Sequence, residues 1–96
     1  MITLEELRSR RDEIIRLAAA RGIRNLRVFG SVARGDAAEA SDVDFLVDVD
    51  PDRTLFDMGG VLMGLREMLG CEVDLVEADG LRERFRDRVL REAVPL

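Results

Sequence analysis

The run DVDFLVDVD, from Asp42 to Asp50, constrains this chain more than any other stretch. Side chains of an extended strand alternate between two faces, so Val43, Phe45, Val47 and Val49 share one face while Asp42, Asp44, Leu46, Asp48 and Asp50 share the other. The odd-numbered face belongs to a core. The even-numbered face must meet water or positive charge, because two carboxylates about 4 Å apart repel by roughly 1 kcal/mol in water and by several times that in a partly buried cleft.

The remaining sequence supplies elements to pack against this strand. Thr3 followed by Glu6 forms a capping box, and Leu4, Leu7, Ile14, Ile15, Leu17 and Ala18 keep roughly helical spacing until Gly22, which predicts one amphipathic first helix. NLRVF at 25–29 and CEVDLVE at 71–77 predict two further strands. Between the last two strands, Leu55, Met58, Leu62, Leu65 and Leu69 recur at helical spacing up to Gly70. Asp79 is placed to cap a final helix through about Ala93, with Leu81, Phe85 and Val89 on one side and Arg82, Arg84, Arg86, Arg88 and Arg91 around the rest. The order αβ(turn)βαβα predicts an α/β (α+β) fold, a small mixed sheet with helices packed against it, as one domain over residues 1–96. Gly59, Gly60 and Gly64 each disfavour the middle helix by about 1 kcal/mol against alanine. Close helix packing accounts for them, or a surface kept low for a ligand or partner.

The same period of two places Asp74 on the face opposite Cys71, Val73 and Leu75. If the two aspartate-bearing strands are neighbours in register, Asp42, Asp44 and Asp74 converge. A divalent cation reverses the sign of their repulsion, and magnesium is held by one or two carboxylates together with phosphate oxygens and water. Upstream, Gly30 and Ser31 end the first strand. Glycine lets a phosphate approach the backbone, and the Ser31 hydroxyl and neighbouring amides donate hydrogen bonds. Phosphate donors followed by carboxylates describe a site for a nucleoside triphosphate with magnesium. The plainer alternative is a strand-ending turn followed by an edge strand charged against aggregation. Arg34 either steadies phosphate charge or the acceptor, or is an exposed turn arginine.

FGSVARGDAAEASDVDFLVD, with Asp74 on a later strand, resembles the signature of the nucleotidyltransferase superfamily, in which Gly-Ser precedes Asp-x-Asp. The G-S-x-A-R-G form, the compact length and the ending DRVLREAVPL look like the minimal nucleotidyltransferases encoded beside HEPN-domain ribonucleases as antitoxins. That resemblance runs from Leu4 to Leu96. It implies that Gly30 and Ser31 hold the triphosphate of ATP, that Asp42 and Asp44 bind two magnesium ions, and that Asp74 completes the set. It also implies the reaction: AMP passes from ATP to a tyrosine of the HEPN toxin and silences it.

Composition bounds the alternatives. The chain has 96 residues, enough for one modest core but not for a separate lid, so the site is expected to be open. A net charge of −5 argues against broad nucleic-acid or anionic-membrane binding. The single cysteine and the lack of a signal peptide or long apolar span predict a cytoplasmic protein. With no histidine, Asp74 or the metal must assist deprotonation of an acceptor hydroxyl, and with no tyrosine, a tyrosine acceptor must belong to another protein. Two other functions compete. One is an antitoxin that acts by binding alone. The other is a small-molecule transferase of the aminoglycoside-modifying type, disfavoured because no further domain exists to enclose a drug. The arginine-rich last helix is either a solvated helix paired with Glu83, Asp87 and Glu92 or a docking surface.

Overall fold

The computed structural model describes residues 2–37 and 42–96. The three expected strands are β1 (Ile23–Phe29), β2 (Val43–Val49) and β3 (Val73–Glu77), and a two-residue strand β4 (Val94–Pro95) joins them. The sheet runs in the order β3-β2-β1-β4. β1 is antiparallel to β2 and β4, whereas β2 and β3 are parallel, so the sheet is mixed as expected. A parallel pair needs a long crossover, and the helix α4 (Leu55–Leu69) supplies it.

Alternation along β2 behaves as the sequence predicts. Val43, Phe45 and Val47 are buried in a core cluster with Ile14, Ala18, Val28, Val61, Leu65 and Val73. Leu46, on the opposite face between Asp44 and Asp48, is also fully buried but stands outside that cluster. The four aspartates divide into two uses. Asp48 pairs with Arg27 at 3.0 Å and accepts from Asn25 Nδ2 at 2.9 Å, while Asp50 accepts from Arg24 Nε at 2.6 Å. Asp48 and Asp50 are therefore neutralised by β1. Asp42 and Asp44 remain for other work.

The first helix is two. α1 (Leu4–Ser9) and α2 (Arg11–Ala19) meet at Arg10, which leaves helical geometry at φ −110°, ψ 19°. The Ser9 hydroxyl donates to the Glu6 carbonyl at 2.6 Å, a local bond that competes with the backbone ladder, and Arg10 Nη1 reaches the Met68 carbonyl at 2.7 Å at the end of α4. Thr3 caps α1 by accepting from the Glu6 amide at 3.1 Å. The last helix also differs from expectation. Asp79 lies in a single 3₁₀ turn, Ala78–Gly80, and α5 (Glu83–Glu92) starts after Arg82, without a side-chain cap. The short helix α3 (Gly30–Arg34) fills the turn after β1.

One of the α4 glycines is explained by packing. A Cβ on Gly64 would lie 2.9 Å from Leu17 Cδ1, so α2 approaches α4 closely there, whereas one on Gly60 would meet only the flexible end of the half-exposed Arg21 side chain, which can move aside. Gly59 faces open space. Gly59→Ala should therefore stabilise the protein by about 1 kcal/mol through helix propensity alone, whereas Gly64→Ala should lose that gain to the clash with Leu17. Denaturant melts of the two variants check this pair of outcomes.

Candidate active site

The site is assembled by strand register. Asp44 pairs across the parallel ladder with Asp74, and across the antiparallel ladder with Phe29, the last residue of β1. Partners in register project from the same face, so Asp44 and Asp74 stand side by side. Asp42 precedes β2 by one residue and is exposed, as is Asp74, while Asp44 between them is partly covered.

Gly30 brings the backbone to the same point. Its φ is +75°, a left-handed conformation that glycine adopts without strain, and a Cβ there would overlap the Asp44 carboxylate, coming within 3.3 Å of its Cγ. Ser31 follows at the second position of α3, partly buried, its carbonyl accepting from the Gly35 and Asp36 amides. The predicted residues Gly30, Asp44 and Asp74 are thus brought together, with Ser31 adjoining and Asp42 at the edge.

Electrostatics mark the same residues. The Asp44 carboxyl is pushed up to about 6, first by burial, next by the neighbouring charges of Asp74 and Asp42, with a hydrogen bond to Asp74 and the Glu92 charge adding to it. Burial raises the Cys71 thiol, two residues before β3, and the Asp42 charge adds to that effect. Among the described residues no three His, Cys, Asp or Glu side chains already form a cage for a cation. A magnesium ion nevertheless suits Asp44 and Asp74, because it relieves the repulsion that raises Asp44 and takes its remaining oxygens from phosphate and water.

Arg34 ends α3 at the rim. Its Nε donates to Asp36 Oδ2 at 3.2 Å and its Nη1 donates to Glu92 Oε1, and these two hydrogen bonds raise the guanidinium above its ordinary value. Glu92 was not singled out in the sequence, where it reads as one acidic residue among the arginines of α5. Only the return of α5 against α3 reveals it.

A family model described as the nucleotidyltransferase domain matches residues 4–96. The chain belongs to the nucleotidyltransferase domain family. The protein adenylyltransferase MntA of Thermococcus cleftensis is 40% identical to this nucleotidyltransferase over 95 residues, which cover 98% of this chain and 96% of that protein. A solved structure described as a candidate minimal nucleotidyltransferase is 48% identical, with a TM-score of 0.88 over 99% of this chain and 97% of that one. A toxin–antitoxin crystal structure with AMP-PNP shares the fold, with a TM-score of 0.74 at 21% identity over 88% of this chain and 69% of that one.

Two outcomes follow from the geometry. Gly30→Ala should cost about 1–2 kcal/mol from the left-handed backbone and should displace the Asp44 carboxylate, so catalytic activity should fall further than stability. The second outcome concerns pH. Because the folded state favours protonated Asp44, this group's contribution to stability is complete below its unfolded value of about 3.9 and is lost as pH rises to about 6. Asp44→Asn removes that loss. Without magnesium, its melting temperature should gain on that of the wild-type protein as pH rises from about 4 to about 7. Parallel curves for the two proteins would contradict the assignment.

Proposed function

We propose that this nucleotidyltransferase is a protein adenylyltransferase that moves AMP from ATP to a tyrosine of a HEPN-type ribonuclease toxin, and so acts as its antitoxin. The observation that carries this reading is the register match of Asp44 with Asp74 against the backbone of Gly30. It places carboxylates and a backbone approach at one point, as transfer to a phosphorus atom requires. The likeness to a named protein adenylyltransferase over nearly the whole chain supports the protein acceptor. The fold shared with a toxin–antitoxin structure supports the partner, and AMP-PNP in that structure supports ATP as the substrate.

In this reading Gly30 and Ser31 receive the triphosphate, Arg34 meets phosphate charge at the rim, and Asp42, Asp44 and Asp74 hold two magnesium ions. When bound, magnesium supplies positive charge that steadies the triphosphate and the departing pyrophosphate. The tyrosine oxygen forms a bond to the α-phosphorus while the bond from that phosphorus to the bridging oxygen of pyrophosphate breaks. The phenolic proton is accepted by the Asp74 carboxylate, which faces solvent and can pass it on. Asp44 stays ionised beside it. In this reading residues 1–96 act as one minimal domain in the cytoplasm, with the toxin rather than nucleic acid or a membrane as the partner. No helix among the described residues is long and apolar enough to cross a membrane.

Incubating the protein with magnesium, ATP and its HEPN toxin should raise the toxin's mass by whole AMP units on tyrosine, release pyrophosphate and stop RNA cleavage. Asp44→Asn should reduce transfer by at least 100-fold, on the order of the loss expected when a charge-stabilising group is removed. A toxin silenced at unchanged mass, with or without ATP, would replace the transferase with an antitoxin that acts by binding.

A further inference from the structure

Glu92 lies outside the aspartate set, yet its side chain is only 18% exposed and its charge is felt at Asp44. Its ion-pair partner among the described residues is Arg34. The Arg34 guanidinium is tied at two nitrogens to carboxylates from different segments, Nη1 to Glu92 on α5 and Nε to Asp36 just beyond α3. Because a guanidinium is planar and its donors form a rigid fork, two such ties fix its plane as well as its position. A half-exposed pair of this kind contributes little to stability. Its larger effect is orientation, since an unrestrained arginine has rotamer entropy to lose on meeting a ligand.

We propose that Glu92 is a positioning residue that holds Arg34 ready for the β- and γ-phosphates of a nucleoside triphosphate. The inference rests on the nucleotide site proposed above. Gly30 and Ser31 open α3 and Arg34 closes it, so Glu92 ties α5 to the helix that carries all three of the proposed phosphate contacts. Local charge alone predicts the opposite effect. Removing a carboxylate near a polyanion reduces repulsion, so a Glu92 that served only as an extra negative charge would hinder the ligand, and its neutralisation would tighten binding.

Calorimetric titration of AMP-PNP and of AMP, each with magnesium, separates the two. Glu92→Gln should weaken AMP-PNP binding about tenfold, equivalent to about 1.4 kcal/mol, and leave AMP binding unchanged. It should add nothing in an Arg34→Ala background. Glu92→Asp keeps the charge on a shorter side chain and should lie between wild type and Glu92→Gln, which gives a second variant should the first fail to fold. AMP-PNP binding that is unchanged or tighter in Glu92→Gln, equal weakening of AMP, or losses that add in the double variant would each overturn the inference. Wild-type protein that binds no AMP-PNP would bring down the nucleotide site and this inference together. Normal wild-type binding with an indifferent Glu92 variant would bring down this inference alone.

Discussion

The parallel pairing of β2 with β3 governs the molecule. It sets Val43 beside Val73 and Phe45 beside Leu75 on the core face, and the same ladder sets Asp44 beside Asp74 on the other. Burial of the apolar set therefore enforces proximity of the acidic set. A slip of one residue would expose the buried valines and separate the two carboxylates. Repulsion between two aspartates costs far less than exposing that row of apolar side chains, so the fold tolerates the pair. The cost reappears in the raised Asp44 carboxyl.

Charge is distributed by the same alternation. β1 offers arginines to Asp48 and Asp50 at one end of β2, and at the other end the chain offers Asp44 no comparable ion-pair partner among the described residues. The strand and its flanks thus carry two kinds of carboxylate, one pair neutralised by β1 and one without an arginine partner among the described residues. The sequence displays all four aspartates alike. The difference lies in what β1 sets against them.

Where period two or a glycine stop dominates, the sequence was sufficient to read the structure. The faces of β2, the position of Asp74, and Gly70 in its left-handed C-cap were all legible. What escaped depended on contacts between distant residues or on local competition. The break at Arg10 comes from Ser9 bonding back to Glu6, which helical spacing conceals. β4 contains two residues and one is a proline, which fits an edge strand but gives no strand signal. Its pairing with Arg27 and Val28 follows β1 rather than any property of its own. Glu92 reads in the sequence as a partner of the arginines on its own helix, and its pairing with Arg34 was invisible for the same reason, because it depends on where α5 returns.

The fifteen-residue crossover α4 has a kinetic consequence. Asp44 and Asp74 become neighbours only when β3 returns past that helix to dock on β2, and parallel pairings closed over such a span form late because loop entropy opposes them until many contacts exist. A chain in which only β1, α3 and β2 had formed would lack Asp74 beside Asp44. The paired carboxylates therefore arrive with completion of the sheet, which makes their meeting point the last part of the fold to be assembled.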